Sequence, residues 1–359
     1  MARKAIYVIS TEELSGKSAI TIALASIFKE KGLSVGYLKP IGISSSITPG
    51  RELYDEDVEI MKTVLRLDYA EDVICPILLK SDEFLEDFIG GDTGLFMERI
   101  KETYKKISEK SDVVLLESPN NFMVGSFIGC PAPRIAKELG ADLILVEIAE
   151  NDFAIDNVLQ SRDICEKWGA NLLGVIFNRV PEDRIERFGG IIKPFVEKHG
   201  INVLGIIPEE KELRAPTVRE ICEFIGGRIL AGKDGLDNIV EEILVGAMTP
   251  ESAAKYFRRA LNEVVITGGD RTDIILTALE IGVSAIILTG NLYPSVKVFP
   301  KADQLRIPLL LVPYDTYTTL QYIQRVIGRI KPKDTRRINA AINLVKKHVN
   351  LEKIINERL

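Results

Sequence analysis

Histidine occurs only twice in the 359 residues, at His199 and His348, and cysteine only four times. Cys75, Cys130, Cys165 and Cys222 lie far apart and none belongs to a CxxC pair, which excludes zinc-type ligand spacing and a disulfide framework. Buried thiols in a reducing compartment are the reading that remains. No apolar run is long enough to span a bilayer, and the stretch after Met1 turns polar at Thr11, too soon for a signal-peptide core. A basic excess is missing as well. The formal net charge is -6 and the pI near 5.4, which removes the electrostatic reason to expect a nucleic-acid partner. A soluble cytoplasmic protein without a membrane or nucleic-acid partner is expected. Glutamine is scarce while isoleucine and charge are plentiful, a composition that points to a heat-adapted source.

The composition that is present, 46% hydrophobic and 27% charged, is that of globular protein, and the length suits two cores. Short β-branched runs alternate with amphipathic stretches. Strands are expected at Ala5–Ser10, Ser34–Ile41, Asp112–Glu117, Leu143–Ala149, Leu172–Val180 and Val203–Ile207. Helices are expected at Lys17–Lys31, Gly94–Glu109, Pro131–Leu139, Ala154–Lys167 and Arg184–Lys198. Several strand runs are apolar on both parities, as a sheet covered on both faces requires. The fold class expected is α/β: a doubly wound parallel sheet followed by a second, smaller α/β domain. From Pro208 to about Glu263 the pattern reads as mainly helical. A second set then follows, with strands at Glu263–Thr267, Ser284–Thr289 and Leu309–Val312 and helices at Thr272–Ile281, around Lys301–Leu305 and at Thr316–Ile327. The expected domains are 1–213, 214–331 and a C-terminal helical extension, 332–359, that closes the second domain.

The first strand runs into Thr11, Glu12, Glu13, Leu14, Ser15, Gly16, Lys17 and Ser18, and a helix opens at once with Ala19 in its first turn. A strand-to-helix loop aims unpaired N–H groups at one point, and the helix dipole adds to them, so the place suits a polyanion. Lys17 would reach the β- and γ-phosphates of ATP, and the Ser18 hydroxyl would coordinate Mg²⁺. Gly16 would let the backbone approach without a Cβ. Thr11 stands where the P-loop pattern has glycine. The bland alternative is a plain strand-to-helix turn.

Ser10–Ser18 resembles the modified P-loop of the dethiobiotin synthetase family, in which threonine also takes the first-glycine slot. Tyr37–Gly42 resembles that family's second-strand lysine–proline segment. Asp55-Glu56-Asp57 resembles its acidic metal-holding turn, Glu117 its acidic strand terminus, and Gly174–Val180 the strand whose asparagine reads the adenine edge. The resemblance implies a P-loop NTPase domain that binds ATP and Mg²⁺. Ser18, Asp57 and Glu117 would hold the metal. Lys17 and Lys39 would be catalytic, and Asn178, Arg179 and Pro208 would lie by the nucleotide. Each has a plainer alternative: a solvated strand end for Lys39, surface carboxylates for Asp57 and Glu117, a turn residue for Asn178.

Pro208–Ile221, Gly268–Ile274 and Val312–Thr319 extend the likeness to the N-terminal half of long bacterial phosphotransacetylases, where a dethiobiotin-synthetase-like domain precedes a DRTGG domain. Here that motif reads Gly-Asp-Arg-Thr-Asp. The acetyltransferase part of those enzymes lies beyond the resemblance, so acetyl transfer is not expected. Ser118-Pro119-Asn120-Asn121 replaces the synthetases' glycine-rich stretch, and Pro119 removes an N–H donor. Two functions stay open: a nucleotide-responsive regulatory module, or an ATP-dependent carboxylate ligase of the dethiobiotin synthetase or cobyrinic acid diamide synthase type. A structural protein with a degenerate P-loop is a weaker third. Gly268, Gly269 and Arg271 mark an anionic-metabolite site or a dimer contact of an expected homo-oligomer, against the alternative of turn glycines with a capping Asp270 or Thr272.

Overall fold

A computed structural model describes residues 2, 4–44, 55–80, 85, 88, 93–210, 213, 215–324, 326–328, 330 and 334–356. The expected domain boundaries at 214, 331 and 332 lie outside the described residues. The chain divides into two compact units, Met1–Glu210 with Ile330–Leu359, and Lys211–Arg329.

The first unit is built on six parallel strands in the order β2-β5-β1-β6-β7-β8. They are β1 (Lys4–Ser10), β2 (Val35–Leu38), β5 (Val113–Glu117), β6 (Asp142–Ile148), β7 (Leu172–Val180) and β8 (Val203–Pro208). Every residue of β1 and β5 is buried, as strands covered on both faces must be. Helix α1 (Lys17–Glu30) follows β1, and α2 (Glu56–Leu65) is capped by the Asp55 carboxylate, which accepts from the N–H groups of Asp57 and Val58. The segment expected as one strand, Ser34–Ile41, is broken. Pro40 has no N–H for a ladder, and beyond it β3 (Ile41–Ile43) pairs with β4 (Ile77–Leu79) in a separate two-stranded sheet. The helix expected over Arg184–Lys198 is interrupted by a π-helical turn, Phe188–Ile192.

The C-terminal helices belong to the first unit and do not close the second. Helix Thr335–His348 packs along α1, where Lys346 pairs with Glu30 at 2.5 Å. Val349 then forms an antiparallel bridge to Gly205 on the edge strand β8, and the Asn350 N–H donates to Leu204 O at 2.7 Å. A Cβ on Gly205 would stand 2.8 Å from His348 O, so the return of the chain needs glycine there. The edge that β8 would otherwise present is covered.

In the second unit β10 (Glu242–Val245), β11 (Glu263–Gly268), β12 (Ala285–Thr289) and β13 (Leu309–Leu311) are parallel, and β9 (Arg228–Ala231) joins β13 antiparallel. Apolar clusters cover both faces of this sheet. The stretch expected to be mainly helical therefore contributes two strands, β9 and β10. Both are edge strands with exposed positions, and their apolar signal is correspondingly weak.

Candidate functional site

The strand order reverses around β1, so the loop that follows it lies between the C-terminal ends of β5 and β6, the position where open α/β sheets take ligands. The loop, Thr11–Gly16, has two residues with positive φ, Leu14 at 57° and Gly16 at 83°. A Cβ on Gly16 would meet Asn178 Nδ2 at 2.2 Å, so that position holds glycine for space as well as for backbone conformation.

Side chains from β1, from β7 and from the segment after β5 occupy four of the loop's carbonyl groups. Asn178 Nδ2 donates to Ser15 O at 2.7 Å, Arg179 Nη1 to Leu14 O at 3.3 Å, Asn121 Nδ2 to Thr11 O at 2.5 Å, and Ser10 Oγ to Glu12 O at 2.9 Å. Asn178 and Arg179 reach the loop because the β7–β8 ladder slips between Phe177 and Val180, with Arg179 at a φ of 57°. Asn178, expected to read adenine, thus gives one of its two amide N–H groups to the loop, while Pro208 ends β8 opposite Val180. The first-turn N–H groups of α1 have no carbonyl one turn behind them. Ser15 Oγ is buried with no hydrogen-bond partner among the described residues. Glu12, Glu13 and Leu14 line the exposed rim, Gly16, Ser18 and Ala19 are half-buried, and Lys17 is only 7% exposed.

The expected metal-side residues converge. Ser18 Oγ donates to Glu117 Oε1 at 2.6 Å. Tyr37 donates to Glu117 Oε2 at 3.3 Å. Lys39 is buried and donates to Asp55 at 2.9 Å and to Asp57. Burial pushes the Glu117 carboxyl up to about 7, with Asp57 adding to it and Lys39 and Lys17 opposing. Burial likewise opposes the charge on Asp57, but Lys39 and Lys17 outweigh it and hold that carboxyl below its usual range. Burial also lowers Lys17, whereas Lys39 overcomes its own desolvation through Asp55, Asp57 and Glu117 and is held well above the usual lysine range. One hydroxyl and two carboxylates are hard oxygen donors that fit magnesium, which takes few protein ligands and completes its shell with phosphate and water. Among the described residues no group of three or more His, Cys, Asp or Glu is arranged to hold a metal without such help.

Sequence reasoning overlooked Glu147, Asn157, Asn121 and the role of Asp55 as partner of Lys39. Glu147 is wholly buried in β6, where its carboxylate accepts from Thr11 and Asn157. A lone acid inside the apolar run Leu143–Ala149 was the signal available.

In the second unit Gly268 ends β11, and a Cβ on Gly269 would stand 1.6 Å from Leu292 O. Arg271 donates to Asp273 at 3.1 Å and to Met248 O at 2.9 Å. Neither Asp270 nor Thr272 caps the helix Thr272–Ile281, whose N-cap residue is Arg271.

Comparison with known proteins places the two units. The AAA domain family matches residues 4–217, and the DRTGG domain family matches residues 220–326. The phosphate acetyltransferase of Nitratidesulfovibrio vulgaris is 27% identical over 369 residues, which cover 96% of this chain and 50% of that enzyme. That of Synechocystis is 26% identical, covering 98% of this chain and 51% of the enzyme. The chain thus spans about half the length of these curated relatives. Among solved structures, the septum site-determining protein MinD of Pyrococcus horikoshii, complexed with Mg-ADP, superposes with a TM-score of 0.37 and 18% identity over 58% of this chain and 83% of that one. The CBS and DRTGG domains of the regulatory region of Clostridium perfringens pyrophosphatase, complexed with diadenosine tetraphosphate, give 0.29 and 18% over 38% and 65%. By the match over more than half its length, the chain belongs to the AAA domain family, with a DRTGG domain following the P-loop unit.

Proposed function

We propose that the chain is a regulatory module that binds ATP with magnesium at residues 11–19 and responds to it. The observation that carries this reading is the loop's polarity: four of its carbonyls are occupied by protein donors, and the amides of the first helical turn have no such partners within the helix. Lys17 would meet the β- and γ-phosphates, Ser18, Asp57 and Glu117 would hold the metal, and Asn178, Arg179 and Pro208 would border the base. Bound magnesium supplies charge neutralisation at the phosphate oxygens.

Regulation is favoured over ligation by the segment after β5. Asn121 holds Thr11 O, the Ser10 hydroxyl shared with Glu12 O lies 3.2 Å from Asn120 O, and the Phe122 N–H donates to Ser10 O at 2.9 Å. The stretch that is glycine-rich in the synthetases is here folded back onto the phosphate loop. Burial of Lys39 beside Asp57 and Glu117 supports a second reading, an ATP-dependent ligase in which Lys39 binds a carboxylate substrate. The proposal extends to a cytoplasmic location, a homo-oligomer, and an anionic metabolite at Gly268, Gly269 and Arg271, for which Arg271 must leave Asp273. No helix among the described residues is long and apolar enough to cross a membrane.

Titration calorimetry of the full chain with MgATP tests the reading. Binding is expected in the wild type and abolished in Lys17→Ala, with unchanged circular dichroism and slow or undetectable hydrolysis. Equal affinity in the two proteins would refute the phosphate site, and rapid turnover without a second substrate would refute the regulatory role.

A further inference from the structure

Thr11, the first residue of the phosphate loop, is clamped by the segments on both sides of β1. After β5, Asn121 donates to its carbonyl oxygen at 2.5 Å. From β6, Glu147 Oε2 accepts its hydroxyl at 2.6 Å. Glu147 is itself oriented from the helix Ala154–Trp168, where Asn157 Nδ2 donates to Oε1 at 2.6 Å. Glu147 is 0% exposed, and among the described residues its carboxylate is served by the neutral donors Thr11 and Asn157. A buried carboxylate served only by neutral donors is costly, and a hydrophobic residue would fill the strand position at less cost. The glycine of the usual P-loop pattern would have no hydroxyl to offer, so the acid on β6 and the threonine in the loop make sense only as a pair.

We propose that Glu147 is a positioning residue for the phosphate loop, fixing Thr11 against β6 so that the loop's amides are held ready for a polyphosphate. The inference rests on the nucleotide-binding reading above and goes beyond it by assigning a residue outside the phosphate and metal contacts.

The electrostatics add a signature that a mere packing role lacks. Burial pushes the Glu147 carboxyl up to about 7, Thr11 and Asn157 pull it back, and the charge of Glu12 on the loop raises it further. Two other charged groups near the loop, Glu150 and Arg179, bear on Glu12. A polyphosphate adds negative charge at the loop and favours the protonated acid. The Thr11 contact survives protonation, with the acid O–H donating to the hydroxyl oxygen instead. Nucleotide binding therefore takes up a proton at Glu147, and the contribution of Glu147 to affinity falls as pH rises through about 7.

The test uses the full chain as wild type, Thr11→Val and Glu147→Gln. MgATP is titrated by calorimetry at pH 6, 7 and 8 in buffers of different ionisation enthalpy, and hydrogen exchange of residues 12–16 is followed without nucleotide. Thr11→Val removes a hydrogen bond to a charged group, and an affinity loss of about tenfold follows, with faster exchange of the loop amides. Glu147→Gln keeps both contacts. It is expected to bind like wild type at pH 6, to bind more tightly than wild type at pH 8, and to take up fewer protons on binding than wild type. Because the ionisation of the nucleotide and of Glu117 is common to both proteins, the difference between them isolates Glu147. Unchanged affinity, proton uptake and exchange in the two variants would overturn the proposal. If the wild type itself failed to bind MgATP, the nucleotide-binding reading would fall. The exchange data alone would then decide whether the Glu147–Thr11 contact fixes the loop.

Discussion

Replacing Gly16 by alanine puts the shape of the phosphate loop to a direct measurement. The new Cβ would lie 2.2 Å from Asn178 Nδ2 at a φ of 83°. Two costs follow. A non-glycine residue in the left-handed region costs about 1–2 kcal/mol. Asn178 is anchored through its own carbonyl, which accepts from the Ala149 N–H at 3.0 Å, so its side chain must swing away and release Ser15 O. That lost hydrogen bond costs about 1 kcal/mol. The variant escapes both costs by relaxing the loop when empty, and a nucleotide must then re-impose them. The expected weakening is about 2–3 kcal/mol, or roughly 30- to 150-fold in the dissociation constant. Such a cost is small against the roughly 5–15 kcal/mol that holds a domain folded, so the variant remains native. MgATP calorimetry alongside a thermal melt gives both quantities. An affinity within threefold of wild type, in a folded protein, would refute the argument that the loop is pre-shaped around Asn178.

Asp55→Ala strands the Lys39 ammonium in a buried site with Asp57 as its remaining partner and removes the cap of α2. A loss of about 3–5 kcal/mol in urea unfolding is expected, as for other broken buried ion pairs. A loss below 1 kcal/mol would mean that Lys39 relaxes to solvent. Gly205→Val places a branched side chain against His348 O and Val349, and should release the C-terminal segment from β8. Limited proteolysis should then cleave near Val349 faster than in wild type, and an unchanged rate would argue against the contact.

The phosphate loop was legible in sequence because its signals are local: a fully apolar strand, Gly-Lys-Ser, and a helix at once. The alternation of strands and helices exposed the parallel sheet for the same reason. The partners of the loop were harder to read, since they converge from separate strands. Asn121 and Asn178 lie 110 and 163 positions from the loop residues they hold, and nothing in one sequence pairs them. Asn178, expected beside the base, also braces a backbone carbonyl of the loop. Strands β9 and β10 escaped because edge positions tolerate exposed polar residues, and β4 because three residues carry no period. The amphipathic C-terminal helix was visible as a helix, but a hydrophobic stripe does not name the surface it will cover.

Because residues 330–359 complete the unit that residues 1–210 begin, the order of synthesis and the order of assembly differ. A ribosome making this chain finishes the DRTGG unit before it releases the segment that seals β8. Through that interval the P-loop unit carries an open strand edge, the feature most prone to pair with another chain. The helices between Thr335 and Asn356 therefore set when the P-loop unit is safe from aggregation as well as how it is packed.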